Sequence, residues 1–158
     1  MKYTNILVLF GLGATLLTGC STSSDGLDSI VGKWHKSCYL PDGNDQYRVI
    51  DLVFRADGTG HLKKVKYDDE DCTLNPSSNE FDLNYHVGAK TTGDDKKEAY
   101  ELDVTGGTGD EAWSDYQMFR FKDNGNLLIS GTSQTHNGDS KEQRGDHFSE
   151  KWAGYVRQ

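Results

Sequence analysis

The chain has 158 residues, 34% of them hydrophobic and 27% charged, with 25 acidic against 17 basic side chains and a formal net charge of -8. That length suits one domain, and a negative surface of this size repels nucleic acid and anionic lipid headgroups, which argues against either as a direct partner. With so few apolar residues the core is modest, so Trp34, Trp113, Trp152, Phe54, Phe81, Phe119 and Phe121 have to supply much of its area.

Met1 to Gly19 has one early lysine, Lys2, then the apolar run Ile6 to Leu12, then small residues up to Cys20, the layout of a secretory signal. The run is shorter than the roughly 20 apolar residues that cross a bilayer, and Gly11 and Gly13 interrupt it. Leu16-Leu17-Thr18-Gly19-Cys20 resembles the lipobox of bacterial lipoproteins, in which a Leu, a small or polar residue, a Gly or Ala and the Cys follow one another. The resemblance implies that residues 1–19 are a removed signal peptide. Cys20 then becomes the first mature residue, carrying diacylglycerol and an N-acyl chain such as palmitate. At about 0.8 kcal/mol per buried methylene, several chains hold a domain on a membrane. Ser21 stands where an Asp would resemble an inner-membrane retention signal, so the expected location is the outer membrane of the cell envelope, facing the periplasm. An ordinary secreted protein whose signal ends near a cysteine is the plainer alternative. Losing Lys2 with the signal takes the net charge from -8 to -9, so the membrane is a partner through the anchor alone.

Lipidation of Cys20 leaves Cys38 and Cys72 as a pair. In an oxidising periplasm a disulfide is the default for them. Closing a loop of about 35 residues contributes roughly 3 to 4 kcal/mol in the chain-entropy account. A metal site at these cysteines lacks a CxxC or a nearby His pair.

Residues 20–30 are mostly Ser, Thr, Asp and Gly and read as a tether, with room for one helical turn at Asp28 to Val31. The domain proper spans residues 31–158. Strands are expected near Lys33–Leu40 and Tyr47–Arg55, followed by a hairpin turn at Asp57-Gly58-Thr59-Gly60. A third strand, His61–Tyr67, ends in the acidic corner Asp68 to Asp71. After a loop at Asn75 to Asn79, Phe81, Leu83, Tyr85 and Val87 alternate with Asp82, Asn84 and His86, the pattern of a strand buried on one face. Tyr100, Leu102 and Val104 repeat it. A Gly-rich connection, Gly106 to Gly109, leads to strands at Tyr116–Lys122 and Leu127–Thr132, joined by a turn at Asp123 to Asn126. A polar loop, 134–146, precedes a last strand at 151–157.

Eight strands in sequential hairpins suit an all-β, up-and-down antiparallel barrel, which closes on itself and leaves no sheet edge exposed. A sandwich is the alternative. Val31-Gly32-Lys33-Trp34 resembles the G-x-W that opens the first strand of lipocalins and related calycin barrels. Further likeness to a bacterial lipocalin-like family lies in Gly32, Trp34 and Cys38, in Tyr67 to Cys72, and in Arg144 ahead of Trp152 and Tyr155. Gly145 departs from that family, where a Pro follows the Arg. The resemblance implies that Trp34 plugs one end of the barrel and that Arg157 or Arg144 stacks on it. It also implies a small hydrophobic molecule or lipid as ligand.

For a barrel with a ligand in its mouth, the candidate lining is Phe81, Leu83, Tyr85, Tyr100, Leu102, Val104, Phe119 and Phe121. The same side chains are equally able to fill the interior. A filled barrel would instead be an interaction protein, docking or inhibiting another envelope protein through loop 134–146 or the acidic corner, with its charge favouring basic partners. Asp68, Asp69 and Asp71 are the one weak calcium candidate, since the corner lacks EF-hand spacing and acidic runs are more often solvated. No H-E-x-x-H, G-x-S-x-G or phosphate-binding loop is present, so neither catalysis nor a cofactor is expected.

Overall fold

The computed structural model describes residues 29–158 except Asp42, Gln134, Glu150, Lys151 and Trp152. The signal peptide, Cys20, most of the tether and part of the expected last strand therefore lie outside the described residues. Eight strands follow in order: β1 (Gly32–Tyr39), β2 (Tyr47–Phe54), β3 (Thr59–Tyr67), β4 (Ser77–Thr92), β5 (Glu98–Gly106), β6 (Trp113–Phe121), β7 (Leu127–Ile129) and β8 (Val156–Arg157), with one 3₁₀ turn at Gly109–Glu111 before β6. All pair antiparallel in the order β7-β6-β5-β4-β3-β2-β1-β8. Leu127 and Tyr155, the residue before β8, exchange both backbone hydrogen bonds at 2.9 and 2.7 Å. That pair joins the two edges of the sheet, at β7 and just before β8, so the sheet is a nearly closed up-and-down barrel.

The strand boundaries differ from the expected ones in a consistent way. β4 begins at Ser77 rather than near Phe81, because the polar stretch Ser77 to Glu80 pairs with Lys66 to Lys63 on β3. β6 begins at Trp113, which pairs with Gly106. A side chain on Gly106 would collide with the Trp113 indole, 2.5 Å from where its Cβ would stand, so glycine lets the ring lie across the strand. β7 and β8 are shorter than expected. Ser130 still donates to the Met118 carbonyl of β6 at 2.8 Å, and its hydroxyl donates to the Gly145 carbonyl at 2.6 Å; Gly131 then turns to the segment 145–147, forming an isolated bridge with His147.

One end of the barrel is packed solid. Trp34 is 1% exposed and Phe119 is fully buried, and around them lie Ile30, Leu52, Phe54, Leu83, Tyr85, Leu102 and Leu127. Phe119 stacks on Tyr100 at 5.5 Å and meets Phe121 edge-on at 6.0 Å, while Phe54 meets Tyr85 at 4.7 Å, separations at which ring quadrupoles attract. Ser29 and Ile30 are helical, and the Ile30 carbonyl accepts from the Trp34 indole at 2.7 Å. The chain thus enters the domain at this closed end. A second cluster, Ala99, Met118, Leu128 and Phe148, lies on the outer face of β5 to β7, where the segment after β7 folds back over the wall.

The opposite end carries the disulfide. Cys38 and Cys72 are bonded, with Cα atoms 5.9 Å apart, and tie the end of β1 to the β3–β4 corner across β2. Asp69 builds that corner, accepting from the backbone N–H groups of Leu74 and Thr73 at 2.8 and 2.9 Å and from the Thr73 hydroxyl at 2.7 Å. These bonds, that to Leu74 foremost, hold its carboxyl below the usual range.

Candidate ligand-binding cavity

Strand alternation sends residues 48, 50, 52 and 54 of β2 and 62 and 64 of β3 to the barrel interior, opposite 102 and 104 of β5 and 113, 115 and 117 of β6. Between these walls, above the packed end, lies a cavity of about 310 Å³. Its floor is apolar: Leu52, Phe54, Leu62, Leu83, Leu102 and Val104. Its upper wall is polar, with the cations Arg48 and Lys64 on one side and Asp115 and neutral Gln117 on the other, and Trp113 flanks it. A second cavity of about 360 Å³ adjoins it, sharing Gln117, Ile129 and Tyr155 and adding Lys36 and Tyr39. It occupies the seam where β7 and β8 are too short to fill the gap between β6 and β1.

The charged groups here are held at a cost in solvation. Burial, with Arg48 and Lys66 nearby, lowers the Lys64 ammonium below its ordinary value, and burial alone lowers Lys36. Lys36 leans over the Tyr39 ring at 3.9 Å and the Tyr155 ring at 5.4 Å. Burial and the neighbouring Asp139 raise the Asp115 carboxyl, which accepts from the Gln117 amide at 2.8 Å. Burial also raises the Tyr39 and Tyr155 phenols. Arg48 donates from Nη2 to Asn44 at 2.6 Å, while its buried Nε has no hydrogen-bond partner among the described residues.

The residues expected from the sequence to line a cavity divide between the two ends. Leu83, Leu102 and Val104 do line it, and Phe81 lies beside it, edge-on to Trp113 at 6.3 Å. Tyr85, Tyr100, Phe119 and Phe121 instead belong to the packing of the closed end. At that end Arg157 stacks on Trp34 at 4.3 Å and donates to the carbonyls of Val31 and Ser29. Gly32, at φ 148°, leaves the space the guanidinium needs, since a Cβ there would lie 2.8 Å from its Nη1. Arg144 is not part of this plug. It is buried on the outer face of β5 and β6, bonded to Asp103 at 2.7 Å and to the carbonyls of Gln117 and Leu102, with Tyr116 beside it.

Asp68 accepts from Asn75, and Asp69 is committed to its turn. His35, His61, His136 and His147 lie beside Asp51, Asp82, Asp146 and Asp94 on the outer surface. Among the described residues no group of three His, Cys, Asp or Glu side chains is arranged to hold a metal ion.

No family model, curated protein or solved structure matches the chain. The cations Arg48 and Lys64 and the pair Asp115 and Gln117 were missed by the sequence reading, and only β2 offered a signal. Arg48, Ile50, Leu52 and Phe54 share one parity, which puts Arg48 on the face of the core residues.

Proposed function

We propose that this is an envelope lipoprotein, anchored through Cys20, whose lipocalin-like barrel binds a small molecule with an apolar body. The observation that carries the reading is the hollow upper half of the barrel, with an apolar floor and a few polar groups converging on it, the usual composition of a ligand site. A volume of about 310 Å³ sits at the lower bound of the roughly 300 to 1,000 Å³ of such sites, which favours a compact ligand over a diacyl lipid. The chain enters at the packed end, so the cavity lies at the end of the barrel away from the tether. Of the alternative docking element, loop 134–146, the end at buried Arg144 is held against the barrel wall, which leaves the cavity as the better-developed site.

Two measurements test this. Replacing Cys20 with serine is expected to abolish acylation and release the protein from envelope membranes; retention of the unlabelled variant there contradicts the anchor. Trp113 lines the cavity while Trp34 is buried at the far end, so a small apolar ligand is expected to shift Trp113 emission. A full panel of small apolar compounds without any such shift contradicts carriage.

A further inference from the structure

An acidic chain with 25 carboxylates keeps cations without counter-charges inside its barrel. On the outer face of β3, Lys63 pairs with Glu80 at 3.0 Å. One residue on, the inward Lys64 makes no ion pair among the described residues, nor does Arg48, whose guanidinium bonds neutral Asn44 instead. A partly buried cation without a carboxylate loses hydration and gains nothing in return, and neighbouring strands that supply acids to Lys63 supply none here. Asp115, the one carboxylate lining the cavity, bonds to Gln117 on the opposite wall. The cavity is therefore polarised, positive at Arg48 and Lys64 and apolar below.

Resting on the carrier reading above, we propose that the ligand is a small amphipathic acid, its carboxylate held between Arg48 and Lys64 and its apolar body lying on Leu62, Leu102 and Val104. A carboxylate offers the free Arg48 Nε a charge-assisted acceptor, and Asp115 repels the acid from the other wall, which fixes its orientation. A space of about 310 Å³ equals the liquid volume of about ten waters, enough for an eight-carbon acid and too little for a long acyl chain.

The test is calorimetric titration of the full-length mature chain in its unacylated Cys20→Ser form with octanoate, octan-1-ol and octylamine, which share a chain and differ in head group. Octanoate is expected to bind at least tenfold more tightly than octan-1-ol, and octylamine least. Arg48→Gln and Lys64→Gln are each expected to weaken octanoate about tenfold and to leave octan-1-ol unchanged, while Lys63→Gln on the outer face changes neither. Circular dichroism checks each fold, and Lys64→Gln alone suffices if the Arg48 variant does not fold. Equal binding of octanoate and octan-1-ol, or preference for the amine, overturns the acid and leaves the carrier reading standing; binding of none of the three overturns both.

Discussion

At the end of the barrel where the chain enters, Trp34, Phe119, Leu127 and Ile30 are almost wholly buried and Arg157 seals the plug; at the other end, Arg48, Lys64 and Asp115 face a cavity and a disulfide ties the rim. The packed end draws its stability from burial of large apolar area. The hollow end has little of that to offer, and a covalent staple and the Asp69 turn hold it instead. The difference teaches that unpaired charge and empty space lower stability and are concentrated at one end, which is what the proposed ligand site would require.

The comparison breaks most sharply at the plug. Trp34→Ala is expected to cost about 3 to 5 kcal/mol, read as a fall in the urea midpoint, and a loss below about 1 kcal/mol contradicts the closed-end account. Next, Cys38→Ser with Cys72→Ser is expected to cost about 3 to 4 kcal/mol. Its signature is local: amide exchange rises in 37–48 and 64–79 while the strand segments around Trp34 and Phe119 stay protected. Uniform acceleration would mean that the two ends are one cooperative unit.

A smaller effect is expected at an ion pair on the outer wall. Arg120 bonds Asp95 at 2.7 Å and lies over Phe148, and its hydrogen bond holds the Asp95 carboxyl below the usual range. A carboxyl whose folded pKa is depressed contributes stability that is present above the unfolded value of about 4 and is lost as pH falls through the lowered folded value. Arg120→Gln is expected to cost about 1 to 3 kcal/mol at pH 7 and to flatten the acid limb of the stability curve below about pH 4. The smallest effect has the opposite sign. Lys64→Met removes a desolvated charge and is expected to stabilise the ligand-free protein by up to about 1 kcal/mol; destabilisation would mean that Lys64 has a structural partner.

Much of the barrel was legible in the sequence, because hairpin turns at Gly58 and Gly125 punctuate it and Phe81 to Val87 alternates cleanly. The polar start of β4 was not: Ser77 to Glu80 join the sheet through backbone bonds to β3, which the residue types do not announce. The site was less legible still. β3 carries lysines at 63, 64 and 66, so both parities look solvated, and only the register with Ile50 on β2 and Asn79 on β4 turns Lys64 inward. The lipocalin resemblance offered Arg157 or Arg144 as the partner of Trp34; Arg157 takes that place, whereas the segment after β7 crosses the outer wall and buries Arg144 there.

Methyl NMR of the full-length unacylated chain titrated with octanoate tests the central claim, that the end away from the tether is a ligand cavity and the other end is solid. Shifts are expected at Ile50, Leu62, Leu102 and Val104, with Leu127 and Ile30 unmoved. Shifts confined to outer-face methyls such as Val53 and Val65, or none at saturating octanoate, would contradict it.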